Sequence, residues 1–305
     1  MPRVLLRAIV ASGLALVLGA PLPAAAAHDD YANPAFTSPL KAGLEHFYRR
    51  EFRAARSSFD EALRVVPDNT FALSFTNAAR ANEPGALHAL IDAEEDAAIA
   101  APKNYLDHVR LAFSYLFAAS EEGNRLADAR DEFNTAMQID SAAPAAHVGL
   151  GILRFAERSM NRSKAEFLAA LRADPNNVLA REYLGLIYQV DLRDPQRALA
   201  YMINVPNLVP DYADIDFHIG SVMDDLKQYD AALKYLSTAT QLDPTGVGEA
   251  GQHGYVLIAR VFIKEHKLSD ARRVLSAAVA NDTDALIAHK MLDKLKAGDY
   301  GDVKS

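Results

Sequence analysis

The side chains that could carry acid–base or metal chemistry are scattered through this sequence. None of the nine histidines stands at the H-x3-H or H-E-x-x-H spacing that turns two imidazoles toward one zinc ion. Carboxylate pairs such as Asp224-Asp225 are adjacent, so on a helix they diverge by about 100° and do not readily share a proton. These side chains therefore predict neither a metal site nor a carboxylate dyad.

The residues that would make nucleophiles or cradle phosphates are missing too. The chain has no cysteine, which excludes disulfides, thiol catalysis, Cys-ligated zinc and iron–sulfur clusters. It has no G-x-S-x-G, P-loop or dinucleotide fingerprint, and Gly149-Leu150-Gly151 is too short for a phosphate loop. We therefore predict a protein that is not an enzyme and holds no cofactor.

The charge of the chain bears on its partners. The net charge is −8, and we find no run of Lys or Arg that would supply the basic stripe expected of a nucleic-acid-binding protein. This argues against a nucleic-acid partner.

What recurs along the chain is a packing pattern: a small residue, a large one four positions later and a small or β-branched one three after that. It occurs as Ala55/Phe59/Ala62, Ala129/Phe133/Ala136, Ser163/Phe167/Ala170, Ala198/Met202/Val205, Ala232/Leu236/Ala239 and Ala271/Leu275/Ala278. The first members are 74, 34, 35, 34 and 39 residues apart. The interval of 74 is two periods, with a degenerate copy between them.

The most regular copy shows what one unit is. Residues 213–242 form two amphipathic segments around Lys227-Gln228-Tyr229, and Pro244 ends the unit. A helix pair of this kind cannot bury its apolar face alone, so the copies must stack.

The pattern resembles the tetratricopeptide repeat, a 34-residue helix-turn-helix, over about residues 36–285. The resemblance depends on the six triplets, on Leu184-Gly185 with Tyr188, on Ile219-Gly220 and on the closing prolines. The usual tryptophan is absent, and the copy at 70–104 departs most, with Leu90 and Glu94 where Ala and a large apolar residue are expected. The resemblance implies an all-α, right-handed helical-repeat solenoid.

We divide the chain accordingly. The solenoid spans residues 36–298, with repeats at about 36–69, 70–104, 105–143, 144–177, 178–212, 213–246 and 252–285 and a capping helix at 284–297. Residues 28–35 are expected to be a flexible lead-in, 246–251 a glycine-rich connector able to act as a hinge, and 299–305 a disordered tail.

The N-terminus is typical of an export signal. Arg3 and Arg7 precede a short apolar run, and Ala25-x-Ala27 fits the small-residue cleavage rule. We predict a signal peptide over residues 1–27, a mature start at His28 and a periplasmic location. An uncleaved anchor is the alternative, but the apolar run is short for a membrane span.

In this family the first helix of each repeat lines a concave surface, and the resemblance implies which positions face it. In the N-terminal half these are Leu44, Phe47, Tyr48, Phe75, Val109, Phe113, Leu116, Phe117, Val148, Ile152 and Phe155. In the C-terminal half they are Glu182, Gln189, Asp214, Asp224, Asp225, Arg260 and Lys264. The surface is thus expected to change from apolar to polar along the stack.

Three interpretations of these residues remain open. They are ordinary core between repeats if the helix register is off by one residue. They form a groove for a peptide or a partner's amphipathic helix. They line a cavity for a hydrophobic small molecule or lipid. We predict a periplasmic scaffold that binds a protein partner in the cell envelope, with a lipid or hydrophobic-ligand carrier as the alternative.

Overall fold

The computed structural model describes residues 30–119, 125–280 and 285–298, and these residues form helices joined by turns, which confirms the all-α prediction. The helices pair in chain order. The pairs are α1 (Pro34–Tyr48) with α2 (Phe52–Val65), α3 (Thr70–Ala81) with α4 (Ala86–Ala100), α5 (Tyr105–Ala118) with α6 (Arg125–Ile139), α7 (Pro144–Ala156) with α8 (Met160–Ala173), α9 (Val178–Leu186) with α10 (Pro195–Met202), α12 (Ala213–Asp225) with α13 (Tyr229–Leu242), and α14 (Glu249–Lys264) with α15 (Leu268–Ala280). A π-helical turn, Ile187–Asp191, continues α9, the short α11 (Val205–Leu208) follows α10, and α16 (Ala285–Ala297) ends the stack.

Asparagine side chains begin several of the first helices. Asn33, Asn69, Asn104 and Asn177 precede α1, α3, α5 and α9, and each side-chain oxygen accepts a hydrogen bond from a backbone N–H of the first turn. These N–H groups have no carbonyl partner within the helix, so each cap stabilises its helix by about 1 kcal/mol.

The core of each pair is the triplet read from the sequence. Phe59, Phe133, Phe167, Met202, Leu236 and Leu275 are all fully buried, and so are the small residues beside them. The paired helix approaches closely over them: a Cβ placed on Gly220 would lie 2.6 Å from Leu236 Cγ. Burying such a side chain contributes about 1.5–3 kcal/mol.

The second repeat packs in a different register from the one we predicted. Leu87, Ile91 and Ala98 are the buried residues of α4, while Leu90 and Glu94 are only partly buried. Ile91 therefore takes the place of the large core residue, and Glu94 stands three positions later, where the complete triplets have Ala or Val.

The structure describes the predicted lead-in from residue 30 onward. Asp30–Ala32 forms a 3-10 turn. The Tyr31 ring packs edge-on against Phe36 at 5.5 Å, and its hydroxyl accepts a hydrogen bond from Asn69 Nδ2 at 3.2 Å. The predicted signal peptide, its cleavage site and the tail at 299–305 lie outside the described residues.

The superhelix closes on itself between its first and sixth repeats. The backbone N–H of Ala213 donates to the Tyr48 hydroxyl at 3.1 Å, and the Thr245 hydroxyl donates to the Tyr48 carbonyl at 2.7 Å. The Arg50 guanidinium donates to the Thr245 carbonyl at 3.0 Å, and Lys41 pairs with Asp211 at 3.0 Å. The first repeat thus contacts the sixth, and the concave face is closed into a lumen.

Hydrogen bonds to two carboxylates fix the glycine-rich connector in the conformation described, and the hinge stays a prediction. The Asp243 carboxylate accepts hydrogen bonds from the backbone N–H groups of Val247, Gly248 and Gly251 at 2.9–3.1 Å. The N–H of Ala250 donates to Asp214 at 3.0 Å, and α14 already begins at Glu249. Across the part of the chain described here, no helix combines the length and apolarity that crossing a bilayer requires.

Candidate functional site

A cavity of about 550 Å³ lies inside the closed superhelix. Every first helix lines it: α1, α3, α5, α7, α9, α12 and α14 each contribute at least one side chain. A volume of this size is typical of a ligand pocket. The cavity is therefore the part of the concave face that remains open after the ends have closed.

One side of the cavity is apolar and rich in aromatic residues. Phe47 and Phe75 pack edge-to-face with ring centroids 5.1 Å apart, and Phe75 packs in the same way on Tyr212 at 5.6 Å. Leu116, Phe117 and Ile152 line this side as well, and they are only partly buried. Edge-to-face pairs stabilise an aromatic cluster by about 0.5–1.5 kcal/mol beyond its burial, so this side is a rigid wall.

The other side carries three acids around one histidine, of which Glu182 is buried, Asp214 partly buried and Glu249 exposed. Glu182 is 5% exposed and accepts hydrogen bonds from the Tyr212 hydroxyl at 2.8 Å to each oxygen. His218 Nε2 lies 3.3 Å from Glu182 Oε1 and 3.9 Å from Glu249 Oε2. Asp214 is the remaining carboxylate of the lining. The acids outnumber the one group that can balance them, so this side favours a positive charge.

Burial shifts the pKa values of these groups. It raises the pKa of the Asp214 carboxyl to about 7, although the Ala250 N–H acts in the opposite direction. Burial alone would lower the pKa of His218, but its contact with Glu182 and the nearby charges of Glu249 and Asp214 leave that pKa above the ordinary value. The histidine is thus held toward its charged form by the acids around it.

The structure divides the predicted groove residues into three sets. Those that line the cavity are Phe47, Phe75, Leu116, Phe117, Ile152, Glu182 and Asp214. Those that lie in the core instead, 0–2% exposed, are Leu44, Tyr48, Val109, Phe113 and Val148. Phe155 belongs to none of the three sets, because it is partly buried and packs edge-to-face on Tyr183 at 5.2 Å. The core interpretation thus describes the second set, in which Phe113, for example, packs on Phe133 of its own helix pair.

The third set consists of the remaining polar residues: Gln189, Asp224, Asp225, Arg260 and Lys264. They lie outside the cavity lining, near the C-terminal ends of the first helices. Gln189 donates to Ser221 at 3.0 Å and to Asp225 at 2.7 Å, and Lys264 pairs with Asp224 at 2.7 Å. Arg260, on α14, is also not part of the lining. These side chains connect neighbouring repeats.

Sequence reasoning missed several cavity residues. Tyr212 was not singled out, His218 was counted among the scattered histidines, and Gly248, Glu249 and Gln252 were assigned to the connector or the region just after it. The signal that could have identified His218 is its position one turn after Asp214, on the first helix of the most regular repeat.

Comparison with known proteins supports the fold. Residues 217–245, within α12 and α13, match the tetratricopeptide repeat model. No curated protein matches the sequence.

The likeness extends to solved structures, of which we describe two. A structure described as YrrB, a tetratricopeptide-repeat protein with an unusual peptide-binding site, is 21% identical, with coverage of 66% of this chain and 98% of the other at a TM-score of 0.51. PilF of Pseudomonas aeruginosa is 15% identical, with coverage of 85% and 97% at a TM-score of 0.51. At these identities the likeness shows the fold alone, and the described residues form a tetratricopeptide-type solenoid.

Proposed function

We propose that this protein is a non-enzymatic scaffold that binds a segment of a partner protein in the cavity of its closed superhelix. The observation that carries the proposal is the two-sided lining, with an aromatic wall opposite the carboxylates of Glu182, Asp214 and Glu249. A peptide that places an apolar side chain next to a Lys or Arg would satisfy both sides.

The energetics of the acidic side support a basic residue as the specificity determinant. A charge-assisted hydrogen bond from an ammonium or guanidinium group to a buried carboxylate is about twice as strong as a neutral one. A peptide that brought a carboxylate instead would place like charges together in a site of low dielectric, where repulsion costs several kcal/mol. The cavity therefore selects by charge as well as by fit.

The fold and the leader pattern of the sequence support this role. The helical-repeat structure described as YrrB is named for a peptide-binding site, and we infer a comparable use of the concave face here. The leader pattern in residues 1–27 supports action in the periplasm on a partner of the cell envelope.

Binding of fluorescent peptides to the purified protein tests the proposal. The peptides share a Leu-Phe core, followed by Lys, Gln or Glu. We expect the Lys peptide to bind at least about tenfold more tightly than the Glu peptide, the equivalent of 1.4 kcal/mol. Glu182→Gln keeps the acceptor for Tyr212 but removes the charge, so it should abolish this preference.

Asp225→Asn is the matched control, because it makes the same change of charge at an exposed site outside the cavity lining. It should leave the preference intact. Equal binding of the Lys and Glu peptides, or a preference that survives Glu182→Gln, would contradict the proposal. Native mass spectrometry that finds a lipid filling the cavity would instead favour the carrier hypothesis.

A further inference from the structure

A second cavity, of about 360 Å³, lies between α2, α3, α4 and α5 and shares no lining residue with the first. The two cavities use different faces of α3. Ser74, Phe75 and Ala78 face the lumen, while Thr76 and Arg80 face the second cavity.

The degenerate second repeat is what opens this space. In the complete triplets the residue three positions after the large core side chain is Ala or Val, and it is buried. In α4 that position is Glu94, and Leu90 beside it also lines the cavity. A carboxylate in place of a methyl group cannot pack tightly against the neighbouring helices, because burying its charge is costly.

Three buried polar atoms of the cavity lining have no hydrogen-bond partner. They are Thr76 Oγ1, Arg80 Nε and Glu94 Oε2, among five such atoms in the described residues. Thr76 is only 4% exposed. Arg80 uses Nη2 on the Asp60 carboxylate, at 3.2 and 3.3 Å, which leaves Nε without an acceptor. Buried polar atoms without partners are rare in native proteins, because each costs about 1–3 kcal/mol.

The charges of the lining indicate what could satisfy these atoms. Arg64 and Arg110 line the cavity together with Arg80, and the acids of the lining are Asp60 and Glu94. Three guanidinium groups against two carboxylates favour an anion, and Arg80 Nε requires an acceptor. Glu94 Oε2, when ionised, accepts only, so it requires a donor.

We propose that the second cavity is a binding site for a small hydroxylated anion, with a carboxylate or phosphate on the arginine side and a hydroxyl that donates to Glu94. The anionic group accepts a hydrogen bond from Arg80 Nε and neutralises the positive charge of Arg110. The Thr76 hydroxyl donates to a remaining oxygen of the ligand. The volume suits a molecule of a few carbon atoms, and the site is independent of the partner proposed for the lumen.

The ionisation of Glu94 sets the conditions for a test. Burial raises the pKa of this carboxyl to about 7, against the opposing effects of Ser114, Arg80 and Arg110. At about pH 8 most of the protein therefore carries the ionised acceptor.

Isothermal titration calorimetry of the purified protein at about pH 8 tests the site with two matched pairs of probes. The pairs are glycerate with propionate, and glycerol 3-phosphate with methyl phosphate. We expect one hydroxylated probe to bind at least about tenfold more tightly than its partner, because the lost hydrogen bond leaves a buried carboxylate unpaired. Which pair responds identifies the anionic group.

Three variants locate the binding. Arg110→Gln and Thr76→Val should each weaken binding by at least about fivefold, and Thr76→Val should also raise the thermal unfolding midpoint, since it removes an unpaired buried hydroxyl. Glu94→Ala restores the residue that most triplets carry at this position. It should tighten binding of the plain anions and remove the preference for the hydroxylated ones.

Arg172→Gln, at an exposed position outside both cavities, is the control for loss of positive charge and should leave binding unchanged. Binding that persists in Arg110→Gln and Thr76→Val would show an adventitious ion only and would overturn the site. So would equal binding within both probe pairs, or no heat of binding for any probe at millimolar concentration.

Discussion

At the scale of single residues, the notable groups are carboxyls buried in α12. Burial raises the pKa of Asp216 to about 7, with the nearby charge of Asp211 acting in the same direction. Asp214, two residues earlier, is raised to a similar value. A carboxyl with a raised pKa in the folded state stabilises the protein when protonated. That contribution is complete below the unfolded-state pKa of about 3.9 and is lost as the pH rises through about 7.

We therefore expect the free energy of unfolding to be larger at about pH 5.5 than at about pH 8. Asp216→Asn should remove the share of this difference that comes from Asp216. Its stabilising effect should therefore be larger at pH 8 than at pH 5.5 by on the order of 2 kcal/mol, because the unfolded carboxyl is ionised at both pH values and the native one ionises between them. Urea denaturation at the two pH values measures both effects. The exposed Asp230→Asn should show neither, and an Asp216→Asn protein with unchanged pH dependence would contradict the assignment.

At the scale of helices, close approach depends on small residues under large ones, both within a pair and between neighbouring pairs. A Cβ on Gly149 would overlap the ring of Phe133, which is fully buried and packs edge-on against Phe113 at 5.2 Å. A Cβ on Gly185 would overlap Met202. The two positions differ in what must move, since a methionine side chain bends and a packed ring does not.

Gly149→Ala should destabilise the protein by about 1–3 kcal/mol, whereas Gly185→Ala should be close to neutral. Alanine stabilises a helix by about 1 kcal/mol relative to glycine. In α9 this stabilisation can offset the cost of displacing the Met202 side chain. Thermal unfolding of the two variants makes the comparison, with each serving as the other's control. Equal losses at the two sites would show that the identity of the covering side chain does not matter.

At the scale of helices, the sequence predicted the helix pairs correctly and the register of α4 wrongly. The pairs and their turns were predictable, because a 3.6-residue periodicity and capping residues are local signals. The register of α4 was not, because Leu87, Leu90 and Ile91 offer overlapping apolar faces in an alanine-rich segment. Only packing against α5 and α3 decides which of them is buried.

At the scale of the whole molecule, closure of the superhelix defines the lumen. Tyr48 connects the first repeat to the sixth through its hydroxyl and its carbonyl. The ring pair Phe71–Tyr212, with centroids 4.8 Å apart, lies at the same closure. If these contacts opened, the acidic side of the cavity would separate from the aromatic wall.

Tyr48→Phe should leave the Ala213 N–H buried without an acceptor, at a cost of about 1–3 kcal/mol. We expect faster amide hydrogen exchange at Ala213 and along the connector from Asp243 to Ala250, with little change in α7 and α8. Tyr229→Phe, at the first residue of α13, is the control for loss of a phenolic hydroxyl. Unchanged exchange at the connector would show that the closure does not depend on Tyr48.

The sequence alone determined the helix pairs, their period and the all-α class, because each depends on residues within one or two turns of one another. It also indicated that the first helices carry the concave face. Only the tertiary structure decided which of those side chains line a cavity, because small rotations between repeats accumulate along the stack. The contact of Tyr48 with Ala213 and Thr245 depends on that accumulated rotation, and no local pattern in the sequence predicts it.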